Sequence, residues 1–349
     1  MTIEVRDFAG DAAALSAFVV AGWRANYQSS GYVPVWTADY FRWQLPSLAA
    51  GHTEGIVAAY ERGRLVGVYP SEVVPIRIRS EHAIATMSSW LTVDPGFLRA
   101  GIGRAMLDEV RRFNQKVGGI FNCGFVNEGA GKARVFWTAS AGQATMFKRP
   151  RMWVRVLDWS GLSQALWSRL DKASAFVAAM MGGPPPTPAD GNLIFPYQPA
   201  HLDSCHALFQ EHMRGFDIEY WWDRNRLAHH LGFGSPSRTL VLASPSAVEG
   251  YANFHILDAH GRNAFRFGIV EFVPARLPQA KAVALLNAAL ATMRNDGVAL
   301  VMLLGPPVHR QSVLLRCGFL PTSTYKLICI EMKGCPPLGG LQRIYTHLR

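Results

Sequence analysis

The chain has 349 residues, of which 49% are hydrophobic and 17% charged. At about 150 residues per domain this predicts two domains, with apolar side chains enough to fill two cores, which excludes disorder as the main state. The formal net charge of +10 favours an anionic partner, whether nucleic acid, a membrane surface or a phosphorylated cofactor.

In chain order, the first half predicts a strand over 3–8, helices over 11–28 and 37–49, and strands over 55–61, 64–79 and 83–93. A helix over 101–117 follows, then a strand over 118–126, a helix over 132–141 and a strand over 144–157. Ser160 to Met181 has the periodicity of an amphipathic helix with Ser160 as N-cap. Gly182-Gly183-Pro184-Pro185-Pro186-Thr187-Pro188 can be neither helix nor central strand and reads as a semi-rigid linker. The second half then repeats the layout. Tyr40-Phe41-Arg42-Trp43 is answered by Tyr220-Trp221-Trp222-Asp223, Leu65–Tyr69 by Val248–Ala252, Val93-Asp94-Pro95 by Val273-Pro274, and Phe121-Asn122-Cys123 by Val301-Met302-Leu303, each about 180 residues apart. Ordered matches at one offset imply a tandem repeat of a whole domain. The expected fold class is α/β of the α+β type: two domains, each a mixed, mostly antiparallel twisted sheet flanked by helices. The boundaries fall at 1–158 (first domain), 159–191 (helix and Pro-rich linker), 192–333 (second domain) and 334–349 (C-terminal tail).

One segment carries chemistry. An apolar strand ends at Val93, Pro95 and Gly96 turn the chain, and Gly101 and Gly103 open a helix with Ile102, Met106, Val110, Phe113 and Val117 on one face. Free N–H groups and the dipole at a helix N-terminus attract an anion. The glycines let a phosphate approach the backbone, and Arg99 and Arg104 add positive charge, so a diphosphate is the natural ligand. The alternative is an ordinary strand–turn–helix whose glycines serve packing.

This segment resembles the cofactor loop of the GNAT superfamily of N-acetyltransferases, which follows a strand ending in Val-x-Pro. Val93-x-Pro95 and Gly101-x-Gly103 match at the family's separation; Leu98 occupies the place of the usual first Arg, and Arg99 lies one residue later. The resemblance spans about residues 1–158 closely and about 190–333 by layout. It implies that 99–105 (Arg99, Ala100, Gly101, Ile102, Gly103, Arg104, Ala105) bind the pyrophosphate of acetyl-CoA or another acyl-CoA. It also implies that Leu91, Thr92 and Val93 pair with the pantetheine arm, and that Asn127 contacts that arm. Trp36, Tyr40 and Phe41, on a helix that borders the acceptor pocket in relatives, are candidates to touch substrate; core packing is the alternative. The second half has no glycine in the matching stretch Phe272–Lys281, so it reads as a degenerate GNAT-like copy.

Catalysis needs a base for the amine and an acid for the departing thiolate. The family's Glu position falls on Met87 and its Tyr position on Thr138. Glu72, Glu81 and His82 are the nearest titratable groups on these strands. The implied activity is acyl transfer from acetyl-CoA to a small-molecule or peptide amine. A non-catalytic acyl-CoA-binding or regulatory protein, or a transferase using a longer acyl or an aminoacyl donor, are the alternatives.

Other signals lead away from chemistry. The cysteines Cys123, Cys205, Cys317, Cys329 and Cys335 are odd in number and form no Cys-x-x-Cys, which speaks against a disulfide framework and fits a reducing cytoplasm. His201, Cys205 and His212 share a helix face without an evident fourth ligand, so no metal is expected. Gly129–Lys132 lacks the spacing of a Walker A loop. The basic run Lys148, Arg149, Arg151 and Arg155 reads as alternating positions on a solvated strand edge, and the chain has no recognised nucleic-acid module. No run of about 18 apolar residues predicts a membrane span, the N-terminus has no secretory signal pattern, and no membrane partner is expected. The apolar surplus of helix 160–181 suits either domain–domain packing or a homodimer contact.

Overall fold

The computed structural model describes residues 2–27, 31–127, 136, 144–146, 151–184, 186, 193–244, 247–274, 277–305, 311–331, 341 and 343–345. The first half runs β1 (Ile3–Asp7), α1 (Ala12–Tyr27), β2 (Val33–Pro34), α2 (Ala38–Gln44), α3 (Pro46–Ala49), β3 (Ile56–Glu61), β4 (Arg64–Ile78), β5 (Glu81–Ser88), β6 (Thr92–Val93), α4 (Ile102–Lys116), β7 (Gly119–Asn127), β8 (Ala144–Met146) and β9 (Arg151–Val156). Helices α5 (Trp159–Ala165) and α6 (Arg169–Met181) connect it to the second half. That half runs β10 (Ile194–Pro196), α7 (Leu202–Met213), β11 (Ile218–Tyr220), α8 (Arg224–Gly232), β12 (Ser237–Ala243), β13 (Val248–His260), β14 (Ala264–Val273), α9 (Gln279–Asn295), β15 (Val298–Gly305), α10 (Gln311–Arg316) and β16 (Leu320–Glu331). The expected helix over 132–141 lies outside the described residues except Phe136.

Three expected elements are each broken in two. The single helix over 37–49 is α2 and α3, because Leu45 leaves the helical region (φ −121°, ψ 83°) ahead of Pro46. The single helix over 160–181 is α5 and α6, because Leu166 is extended (ψ 140°) and Ser168 starts a new helix by accepting the Asp171 N–H at 2.9 Å. Asp158, not Ser160, is the N-cap of α5. The single strand over 83–93 is β5 and β6, interrupted at Trp90.

Both halves contain the same motif: an antiparallel meander, then a parallel pair linked by a long helix. In the first half β4 pairs with β5 antiparallel and β5 with β7 parallel, linked through α4. In the second, β13 pairs with β14 antiparallel and β14 with β15 parallel, linked through α9. The strand order is β1-β3-β4-β5-β7-β16-β9-β15-β14-β13-β12-β10, two mostly antiparallel sheets joined edge to edge. The join is reciprocal: β9 pairs with β15 of the second half, and β16 pairs with β7 of the first. The small strands cross over in the same manner, β2 onto the end of β13 and β11 onto the end of β4.

Strand periodicity explains how each sheet feeds two layers. In β3, Val57 and Ala59 face α4, which buries Ile102, Met106, Leu107 and Val110 against them, while Ile56 and Ala58 join the layer that holds Leu15, Tyr40, Phe41 and Trp43 of α1 and α2. Burial of each large α4 side chain contributes about 1.5–3 kcal/mol. Gly67 makes this approach feasible, since a Cβ there would lie 3.0 Å from both Ile102 Cγ2 and Met106 Cε. The α1–α2 layer extends over Phe265, Phe267 and Ile269 of β14, and reciprocally α7 and α8 pack with Ile76, Ala85, Met87 and Phe121 of the first half. Arg155 is buried rather than on a solvated edge: its guanidinium donates to the carbonyls of Gly183 (3.1 Å) and Pro184 (2.9 Å) just beyond α6.

Candidate active site at a strand splay

The site begins with a register change. β4 and β5 pair as Ser71↔Ser88, and β4 and β6 pair as Val68↔Thr92. Between these pairs two residues on β4, Tyr69 and Pro70, oppose three on the other segment, Ser89, Trp90 and Leu91, so one residue bulges. Trp90 sits there with φ +56°, a left-handed conformation costly for a bulky residue. Its ring offsets that cost. It is buried and packs edge-on against Phe41 (5.1 Å), Tyr40 (6.1 Å) and Trp36 (6.5 Å). Thr92 Oγ1 donates to the Trp90 carbonyl at 2.8 Å and accepts from Trp23 Nε1 at 3.0 Å.

Past the bulge the strands part. Among the described residues, β5–β7 pairing ends at Met87↔Cys123, and β7 continues against β16 as far as Asn127↔Tyr325. Gly124 marks the fork, since a Cβ there would lie 2.8 Å from the Ser88 carbonyl oxygen. Asp94 N–H donates to the Val66 carbonyl at 2.9 Å. By the alternation of an antiparallel ladder, Thr92 therefore bonds towards β4, while the backbone groups of Val93, and Leu91 in the same phase, turn towards the notch. An extended chain entering the notch could pair with them.

The notch leads to the helix start. Asp94 caps a short turn by accepting the Gly96 N–H at 2.8 Å and pairs with Arg64. Arg99 (φ +67°) and Gly101 (φ +78°) both adopt left-handed conformations, and Gly101 is the N-cap of α4 without a side-chain capping bond. Arg104 and Ala105 N–H both bond to the Gly101 carbonyl, so the amides of Gly101, Ile102 and Gly103, at the N-cap and first two positions of α4, have no intrahelical acceptor. Around Gly101 a Cβ would meet nothing within 4 Å. Exposed Arg99 and Arg104 flank these amides. This arrangement suits a diphosphate. Gly103 serves packing as well, since a Cβ there would lie 3.1 Å from the Phe136 ring.

The remaining candidates are dispersed. Glu72 lies on β4 opposite Met87, nearly buried, paired with Arg226 of α8 at 2.7 Å. Glu81 and His82 open β5, exposed and at the end away from the bulge, where His82 stacks edge-on against Trp221. Trp36, Tyr40 and Phe41 are buried beneath Trp90 and support the bulge. Asn127 ends β7 on the notch side; its side chain lies outside the described residues. Cys205 and His212 are buried, and His201 accepts the Gln198 N–H. Among the described residues no three His, Cys, Asp or Glu side chains are placed to hold a metal ion.

Among its described residues the second half shows neither the bulge nor a glycine-opened helix. The β13–β14 ladder runs without a register shift from Tyr251↔Val273 to His260↔Ala264, and α9 is capped by Pro278. Where the first half has its bulge, the second has a feature that sequence reasoning did not single out. Glu271 accepts from His230 Nε2 at 2.7 Å, and the His230 ring stacks on Trp43 at 5.1 Å. Trp43 Nε1 donates to the His230 carbonyl, and Trp43 packs against Tyr40. This chain of contacts ties the second half to the aromatic support of the bulge. Its members are about 40 to 190 residues apart in sequence, so no local motif signals it.

No protein-family model matches the sequence, and no curated protein aligns with it significantly. Solved structures do match. The Saccharomyces cerevisiae N-myristoyltransferase with bound myristoyl-CoA superposes with a TM-score of 0.73 at 13% identity, covering 94% of this chain and 82% of that one. The same enzyme bound to myristoyl-CoA and inhibitors superposes equally, with 80% of its chain covered. A protein of unknown function from Enterococcus faecalis V583, described as a probable N-acyltransferase, superposes with a TM-score of 0.55 at 10% identity, covering 95% of this chain and 73% of that one. The chain thus has the tandem fold of these structures, two GNAT-like halves in one polypeptide.

Proposed function

We propose that the chain is an acyl-CoA-dependent N-acyltransferase whose first half binds the acyl-CoA and transfers the acyl group to an amine. The observation that carries this reading is the asymmetry of the halves: bulge and glycine-opened helix occur together in the first, whereas the described residues of the second show an unshifted β13–β14 ladder and a helix capped by Pro278. The amides of Gly101 to Gly103, with Arg99 and Arg104, would hold the diphosphate. The outward backbone of Val93 and Leu91 would pair with the pantetheine amides and set the thioester beside Trp90. Backbone N–H groups there would stabilise the oxyanion as a neutral amine attacks. The C–N bond forms, the C–S bond breaks, and the proton lost by the amine neutralises the departing thiolate. Positioning supplies much of the rate.

Acetyl-CoA is the donor we favour, with a small-molecule or peptide amine as acceptor. A longer acyl chain is the second reading. The Saccharomyces cerevisiae structures superposed above hold myristoyl-CoA. Release of free CoA, measured across acyl-CoAs of increasing chain length with a panel of amines and N-terminal peptides, tests both. Amine-dependent release supports transfer, and the preferred length chooses the donor. Tight binding without release on any acceptor would reduce the protein to an acyl-CoA binder.

A further inference from the structure

Helix α6 is inside out. Its small residues, Ala175, Ala178 and Ala179, face the protein, while Leu170 (80% exposed), Met180 (68%), Met181 (67%), Val177 and Phe176 face solvent. A helix that merely covered a core would show the opposite arrangement. The helix is firmly mounted. Ser168 caps its start, and the buried Arg155 guanidinium holds the Gly183 and Pro184 carbonyls just past its end. Half-exposed Trp167 lies immediately before it. Arg169 and Lys172 lie along one flank of the apolar stripe, with Asp171 the helix's sole acidic residue.

Two considerations select the occupant. Thirteen residues make a stripe about 20 Å long, whereas a stable protein partner covers about 800 Å² on each side. A single helix face supplies a fraction of that. A bilayer needs no matched surface: an apolar helix face with a basic flank and an adjacent Trp seats at the boundary of headgroups and acyl chains. The net charge of +10 adds long-range attraction to anionic lipid. We propose that α6 docks the protein on an anionic membrane surface, with Leu170, Val177, Met180 and Met181 entering the leaflet and Arg169 and Lys172 at the headgroups. This replaces the expectation of no membrane partner, and it stands independently of the acyltransferase reading.

The test is co-sedimentation of the full chain with vesicles of phosphatidylcholine alone or mixed with phosphatidylserine, at low and high salt, beside the variant Val177→Glu/Met180→Glu. Both positions are exposed, so the variant should keep the wild-type circular dichroism and melting curve. The expected result is binding to the phosphatidylserine vesicles, weakened by salt and reduced at least tenfold in the variant, with Trp167 fluorescence shifting to the blue on binding. Failure of the wild type to sediment with either vesicle overturns the proposal, as does equal binding by the variant. Sedimentation velocity on the lipid-free protein adds a third decisive outcome: a dimer that the same variant dissociates would assign the face to a second copy and refute membrane docking.

Discussion

Removing one partner of the Glu72–Arg226 pair should expose how the halves are clamped. The pair joins β4 of the first half to α8 of the second at 2.7 Å, with the Arg226 side chain 18% exposed and that of Glu72 9%. The guanidinium also lies 5.2 Å from the Trp222 ring centroid. Arg226→Met keeps the stem but leaves the Glu72 carboxylate in a low-dielectric pocket. Breaking a buried pair in this way destabilises by about 3 kcal/mol. Glu72→Gln removes the charge and keeps an acceptor, so it should cost about 1–2 kcal/mol. The double variant should be more stable than Arg226→Met alone, because the isolated charge is gone, giving a coupling of more than about 1 kcal/mol. Urea unfolding followed by tryptophan fluorescence reads all four corners of the cycle. Strict additivity, or single-variant losses below about 1 kcal/mol, would refute the clamp. Acyl transfer by the folded Glu72→Gln protein adds a separate reading: a clamp residue leaves turnover near wild type, whereas an amine base would abolish it.

Three further outcomes follow from burial. Desolvation lowers the His212 pKa to about 4, with Glu271 partly opposing, so the ring folds neutral. Below pH 6.5 the unfolded chain binds the proton first and stability falls as pH drops, levelling off near pH 4 with a total loss of about 3 kcal/mol; His212→Leu should flatten that segment of a stability–pH profile, and an unchanged slope would contradict the assignment. Burial pushes the Cys205 and Cys317 thiols up to about 12, so native protein at pH 8 should leave both unlabelled by a disulfide reagent until denatured; mass spectrometry showing rapid native labelling would argue otherwise. Trp90→Ala should lower stability by about 3–5 kcal/mol and weaken acyl-CoA binding, because the ring holds the bulge in place; unchanged affinity in calorimetry would detach the bulge from the site.

Much of this architecture is legible in the sequence. The apolar positions Ile102, Met106, Val110 and Phe113 mark the buried face of α4, and the turn at Pro95–Gly96 with the glycine at 101 marks its start, because both depend on local spacing. The repeat at about 180 residues is legible in part: Leu65–Tyr69 and Val248–Ala252 fall in β4 and β13, and Phe121–Cys123 and Val301–Leu303 in β7 and β15, whereas Tyr40–Trp43 lies in α2 and its expected match Tyr220–Asp223 spans the end of β11 and the segment before α8. Trp90 breaks the strand over 83–93, and no property of tryptophan announces a positive φ; tertiary packing on Trp36, Tyr40 and Phe41 imposes it. The same packing explains why those three aromatics, candidates for acceptor contact, are buried. The exchange of β9 and β16 is a non-local choice between equivalent edges, which strand periodicity does not distinguish. Nor does periodicity separate α5 from α6, since the apolar pattern runs through Leu166 and Trp167, and a serine N-cap decides the break.

Titration calorimetry with acetyl-CoA, on the wild type and on Gly101→Glu, decides whether the start of α4 holds the acyl-CoA. Gly101 is exposed with open space around it, so the variant should fold with about 1–2 kcal/mol of backbone strain while placing a carboxylate where the diphosphate would sit. One site per wild-type chain and loss of binding in the variant are the expected results. Two sites per chain, or binding untouched by the substitution, would contradict the assignment of the acyl-CoA site to the first half.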